Sequence, residues 1–346
     1  MASYQRTKIL INRFNSLILT KLIGLSEEKI IRAIFHPQSE GACNVNYLFG
    51  IHQVFVTVRW RKNWTAPGLA LVFTLAPVLG TAEQTNAQFN KIVSIGGSVT
   101  EIIYALGQEH RLIARDTTST FPAAADDLPN VGYMRALSPE GVLSVGPDLI
   151  VAEDGSGPPE TVALLKAAAI AFVMVPDKYN SQGIVDKVLS VGTALGVETK
   201  AQDLANRLAA ELSAAEAIAK ALEGPPKKVL FVLSTRGGRI LASGTNTAAD
   251  GMIRMAGAIN AISAFEGYKP LTDEAIIVAA PDVILMMTRG GDHSTADDDL
   301  FAMPAVAATP AAQTRAVVRM KGLYLLGFGP RTGQAILELH KALYKG

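Results

Sequence analysis

A chain of 346 residues, 49% hydrophobic and 18% charged, is long enough to bury two ordinary cores. Its 32 basic and 31 acidic residues leave a net charge of +1, without the clustered basic excess that nucleic-acid binding usually shows, so small molecules or other proteins are the expected partners. The only cysteine is Cys43, and the chain beyond it needs no disulfide chemistry.

Residues 1–60 differ in texture from the rest of the chain. They carry Cys43 and two of the five histidines and lack any glycine-punctuated α/β pattern, which reads as an over-extended or disordered N-terminal segment. No methionine occurs between Met1 and Met134, so a later start would use an alternative codon such as that of Val56 or Val58. Residues 61–87 read as a secretory signal: Arg61-Lys opens a basic start, an apolar run of about fifteen comes next, and small residues allow cleavage after Ala82 or Ala87. The run is too short for a comfortable membrane span, and no cysteine stands just after it to carry a lipid. A core helix or a retained anchor is the competing reading.

Residues 88–180 and 225–346 form two similar α/β lobes. Lys91-Ile-Val-Ser-Ile-Gly-Gly and Lys227-Lys-Val-Leu-Phe-Val-Leu-Ser-Thr-Arg-Gly-Gly each place an apolar strand before a glycine turn, with helices expected over 99–106 and 248–256. Val131-Gly-Tyr-Met-Arg-Ala-Leu-Ser-Pro-Glu140 is echoed about 135 residues later by Glu266-Gly-Tyr-Lys-Pro-Leu-Thr-Asp-Glu274. The echo runs on through 138–151 and 272–285, with the acid, the apolar pairs and the Pro-Asp turn in the same places. Each copy reads as capped helix, turn and buried strand, and the pair as one duplicated unit with a tyrosine beside a cation on each wall of a shared cleft.

Between the lobes, residues 181–224 are helical in pattern: a segment over 182–195, then an alanine-rich one that Thr199 can cap and that Gly224 and Pro225-Pro226 stop. About 24 residues at 1.5 Å each make a rod of about 36 Å, enough to run down both lobes and restrict them to small rocking. A helix belonging to one lobe alone is the alternative.

Over residues 90–344 the chain resembles the substrate-binding proteins of bacterial ABC importers, of the helix-linked type that serves haem, cobalamin and siderophores. The motifs are Ile92-Val-Ser-Ile-Gly-Gly-Ser-Val-Thr-Glu-Ile-Ile-Tyr-Ala-Leu-Gly107, Ala114-Arg-Asp-Thr-Thr-Ser, Val131-Gly-Tyr-Met-Arg135, Asn246-Thr-Ala-Ala-Asp250, Tyr268-Lys-Pro-Leu271 and Leu325-Leu-Gly-Phe-Gly329. Within that type they are most similar to the periplasmic haem-binding proteins. The resemblance implies an α/β fold of two Rossmann-like lobes joined by a single long helix, with the ligand cleft between them. It further implies a periplasmic monomer that captures ferric haem and delivers it to an ABC permease dimer in the inner membrane with its ATPase. A corrinoid or a ferric siderophore is the alternative ligand.

The resemblance assigns the iron to Tyr133 and a supporting role to Arg135. Ferric porphyrin iron accepts a phenolate as axial ligand. A phenol ordinarily has a pKa near 10, so a cation must favour its charged form. In an extended segment Tyr133 and Arg135 would share a side, with Met134 opposite. On the other lobe Tyr268 is expected to pack on the ring or bond its edge, and Lys269, where the family often has arginine, to meet a propionate or cover the far face by its stem. Arg236 and Arg239 are candidates for carboxylates. The place where some relatives carry a histidine reads Ser234-Thr-Arg-Gly-Gly238, which argues against a second axial ligand there. Of the other histidines, His110 and His340 are expected at the surface, and His293 lies in a loop able to swing over the cleft. Glu140 and Glu274, at equivalent helix starts, are implied to dock on permease arginines.

An enzyme holding a cofactor is the remote alternative. Gly327-Phe-Gly-Pro-Arg-Thr-Gly333 spaces its third glycine one residue late for a dinucleotide loop, and more simply starts the last helix with Pro330 in its first turn. Residues 90–346 contain no Walker loop, nucleophile elbow or metal-spaced histidine pair.

Overall fold

The computed structural model describes residues 44–50, 53–59, 89–222, 224–288 and 295–344. The chain divides into two compact units, Met1–Leu79 and Gly80–Gly346. In the first, β1 (Asn44–Gly50) and β2 (Gln53–Arg59) pair antiparallel, from Asn44 opposite Arg59 to Gly50 opposite Gln53. The sequence pattern predicts no element there, although Val54, Phe55, Val56 and Val58 favour a strand. The signal-like segment 61–82 and both cleavage positions lie outside the described residues.

The second unit opens with four parallel strands in the order β4-β3-β5-β6: β3 (Ile92–Ile95), β4 (Leu112–Arg115), β5 (Leu149–Glu153) and β6 (Ala171–Val175). Helices cover such a sheet on both faces, so β3 and β5 are buried at every position. Crossovers run through α1 (Gly97–Ala105), α2 (Pro139–Leu143) and α3 (Pro159–Ala167).

Two linking helices come next, α4 (Ser181–Leu195) and the rod itself, α5 (Glu198–Lys220), whose 23 residues span about 35 Å. Gly196, left-handed at φ 69°, closes α4, with the Val197 amide donating back to the Gly192 carbonyl. This tight reversal starts α5 at Glu198, so Thr199 is inside the helix and caps nothing. At the other end α5 stops at Lys220, short of Gly224.

The last part carries a mixed six-stranded sheet in the order β10-β8-β7-β11-β12, with β9 also on β7. Its strands are β7 (Lys228–Ser234), β8 (Leu241–Ser243), β9 (Ile259–Asn260), β10 (Tyr268–Pro270), β11 (Val283–Thr288) and β12 (Val317–Lys321). The principal helices are α6 (Ala248–Met255), α7 (Asp273–Ala279), α8 (Asp297–Ala302), α9 (Pro304–Ala307), α10 (Pro310–Gln313), α11 (Gly322–Leu326) and α12 (Thr332–Tyr344). The second copy departs from the first at its glycine turn: β8 folds back antiparallel on β7 before α6 begins, and β10 adds to β8.

The internal echo is structural. Ser138 and Thr272 cap α2 and α7 by accepting the amides of Gly141 and Ala275. Asp148 accepts the Asn90 and Lys91 amides while Asp282 accepts that of Lys228, so each Pro-Asp turn ties the foot of its lobe's first strand. One apolar cluster runs from Ile92 and Val99 through Val188, Leu204 and Leu208 to Phe231, Leu285 and Ile336, so both lobes and the linking helices share a core. His340, expected at the surface, is instead buried on the inward face of α12, with Nδ1 3.1 Å from the Ala256 carbonyl. Pro330 lies in the turn before α12, ahead of its first helical residue. Among the described residues no helix is long and apolar enough to cross a membrane.

Candidate functional site

In sheets of this kind ligands gather beyond the carboxyl ends of the strands. Tyr133 stands in a loop there, and it occupies a turn where the sequence predicted an extended segment. The Ala136 amide donates to the Tyr133 carbonyl at 2.8 Å, closing residues 133–136. Gly132, at φ 107°, makes the approach to this turn. Its carbonyl accepts the Thr117 amide, and the Met134 carbonyl accepts that of Gly157. A turn pinned on two sides still sends Met134 inward, 8% exposed, and leaves Tyr133 and Arg135 outward. Tyr133 is 44% exposed, a large aromatic held in solvent by a rigid backbone, which is how binding surfaces present their anchors.

Tyr268 reaches its place by strand pairing. It lies opposite Ser243 in β10, half-buried, edge-on to Phe231 at 6.3 Å between ring centroids. Burial holds its phenol above the ordinary value, although the Thr247 side chain and the Ala249 amide, at the N-terminus of α6, pull the other way. Tyr179, from the loop entering α4, packs edge-on to Phe328 at 5.4 Å and is pushed up to about 12, by burial first and the charge of Asp177 second. The charge of Arg135 acts on both Tyr179 and Tyr268. A cation of the first lobe and a phenol of the second are therefore near enough to act on each other's charge, and Tyr179 is near both.

The remaining predicted residues are more loosely placed. Lys269 is exposed, its ammonium 5.2 Å over the Phe265 ring of its own lobe. Arg236 is exposed in a short turn after β7, its amide on the Ser234 hydroxyl. His110 is exposed and His293 lies outside the described residues. Glu140 and Glu274 are exposed in the first turns of α2 and α7. For Glu274, its own amide first and the Thr272 side chain second hold the carboxyl below its usual range.

Sequence reasoning missed Tyr179, and also a buried ionic centre beside it. Lys187, fully buried on α4, contacts Glu153 at 2.5 Å and Asp177 at 2.7 Å, and donates to the Ser98 hydroxyl and the Gly327 carbonyl. Burial opposes the Lys187 charge, but the two carboxylates outweigh it and hold its pKa above the ordinary value; burial likewise pushes Glu153 up, against the pull of Lys187. A lysine inside an apolar helical pattern was the only available signal.

Residues 92–323 match the family model described as periplasmic binding protein, two thirds of the chain. The chain belongs to the periplasmic binding protein family. A solved member, the periplasmic heme-binding protein BhuT in complex with two hemes, is 40% identical with a TM-score of 0.69, the match covering 73% of this chain and 97% of that one. Among curated members, an uncharacterized ABC transporter substrate-binding lipoprotein, YvrC of Bacillus subtilis (strain 168), is 30% identical over 197 residues, 56% of this chain and 62% of that protein's length. The vitamin B12-binding protein of Vibrio campbellii (strain ATCC BAA-1116) is 24% identical over 234 residues, 67% of this chain and 82% of that protein. The two-lobed α/β architecture is that of this family.

Proposed function

We propose that this periplasmic binding protein captures ferric haem between its lobes and hands it to an ABC permease with its ATPase. The observation that carries the reading is the pinned, exposed Tyr133 beside Arg135, whose charge reaches Tyr268 on the facing lobe. The likeness to BhuT, at 40% identity, favours haem.

In this reading Tyr133 supplies a phenolate to the iron and Arg135 stabilises it. Tyr268 packs against the porphyrin, its hydroxyl committed to the start of α6. Lys269 and Arg236, being exposed, turn to the propionates. Apolar burial of the ring supplies most of the affinity and the polar contacts orient it. Residues 61–87 act as the export signal, and 88–180 and 225–346 as lobes about the 181–224 linker.

The test is titration of the purified protein with ferric haem. A shifted haem absorption band and a phenolate-to-iron charge-transfer feature are expected, and Tyr133→Phe should remove that feature and weaken binding. Persistence of the feature in the variant would assign the iron to another residue. The vitamin B12-binding relative supports a second reading, a corrinoid in the same cleft. A parallel cobalamin titration decides it: saturation there, with no haem response, replaces the first reading by the second.

A further inference from the structure

Residues 327–331, between α11 and α12, are gripped by the first lobe and its linker at several points. The Gly327 carbonyl accepts from Lys187 at 3.2 Å, the lysine itself being fixed by Glu153, Asp177 and Ser98. Phe328, 1% exposed, meets the Tyr179 ring. Arg331 forms a two-pronged pair with Glu101 on α1, Nε to Oε1 at 2.8 Å and Nη2 to Oε2 at 2.9 Å. The flat face of its guanidinium lies 3.5 Å from the centre of the Phe121 ring, on the first lobe, and 5.2 Å from that of Tyr324 on the second. Glu101 is 5% exposed, so the pair is shielded from solvent on the carboxylate side.

Such a contact differs in kind from the apolar core around it. Side chains of a shared core tolerate small slides, whereas a planar fork on a buried carboxylate has one geometry in which both bonds form. A charge that slid away from its partner would be left buried and uncompensated. The cleft walls come from different lobes, Tyr133 and Arg135 from one and Tyr268 from the other, so their separation depends on the angle between the lobes. That angle is held where residues 327–331 are held.

We propose that Glu101 and Arg331 are a positioning pair that fixes the angle between the lobes, keeping the two cleft walls at ligand-binding separation before any ligand arrives. Its consequence for haem rests on the function proposed above; its effect on lobe geometry does not.

The experiment measures the lobe-to-lobe distance distribution by paired spin labels in the ligand-free protein, with Ala163→Cys on α3 and Ala302→Cys on α8 in a Cys43→Ser background. Both alanines are exposed. The unaltered pair should give a narrow distribution. Glu101→Gln should broaden it, and so should the double variant Glu101→Gln/Arg331→Gln, which leaves no unpaired charge and so keeps the protein folded if the single variant does not. Arg331→Lys, charged but without the fork, should fall between. Haem dissociation from the double variant should be about tenfold faster, the size of a modest change in coupling between sites. A double variant with native width and native dissociation rate would overturn the proposal, as would a broadening in Glu101→Gln that the double variant reverses, since the pair would then serve charge balance alone. A native protein indifferent to haem defeats the proposed function instead and leaves the distance measurement standing.

Discussion

Two phenols carry the clearest consequence at the scale of single residues. Tyr179 and Tyr324 are both pushed up to about 12, each by burial first, then by Asp177 for one and Glu338 for the other. A raised phenol favours the protonated, folded state, so its contribution is complete below the ordinary value near 10 and lost as pH climbs from there toward 12. Denaturant unfolding should therefore show level stability, as far as these groups govern it, up to about pH 9 and a decline beyond pH 10. Tyr179→Phe and Tyr324→Phe should each lessen that alkaline decline, and an unchanged decline in both would contradict the assignment. Neither residue stood out in the sequence. Tyr133 and Tyr268 did, because each sits in a repeated motif, whereas Tyr179 packs on Phe328 and feels the charge of Arg135, both distant from it in the chain.

At the scale of elements, the hairpin of α4 and α5 depends on close approach. A Cβ added to Gly192 would lie 2.1 Å from the Ala201 Cβ, well inside contact distance. Gly192→Ala should cost about 1–3 kcal/mol in denaturant unfolding, as overpacking of a fitted contact does. Adding Ala201→Gly should recover much of that loss, because the second change removes the atom struck; no recovery would place the strain elsewhere. The existence of both helices was legible from their periodic apolar positions and from the two prolines that stop the chain. Their ends were not, since Gly196 and the packing of Gly192 on Ala201 start α5 before Thr199 can cap it. The same limit governs Tyr133, where the shared side of Tyr133 and Arg135 was expected from an extended segment but bonds from Ala136, Thr117 and Gly157 hold a turn that sends the same side chains outward.

For the molecule as a whole, the repeated acids are the relevant pair. Glu140 and Glu274 stand at equivalent helix starts, exposed, one on each lobe, as a two-fold permease would require. Reversing both, Glu140→Lys with Glu274→Lys, should abolish uptake in cells while haem titration of the purified protein stays native. Unaltered uptake would remove these acids from docking, and lost haem binding would show that the reversal acts through the fold.

The amino-acid order alone determined the α/β class, the duplication, the linking rod and the tyrosine and cation of each motif. These are written in local periodicity, caps and repeats, which act over a few residues or recur in similar form. Tertiary structure alone decided which groups from distant segments meet: Tyr179 with Phe328, Lys187 with two carboxylates and the Gly327 carbonyl, Glu101 with Arg331 230 positions away. Contacts of that kind have no local pattern, because burial and charge pairing depend on proximity in space, and only the closed core brings the partners within reach.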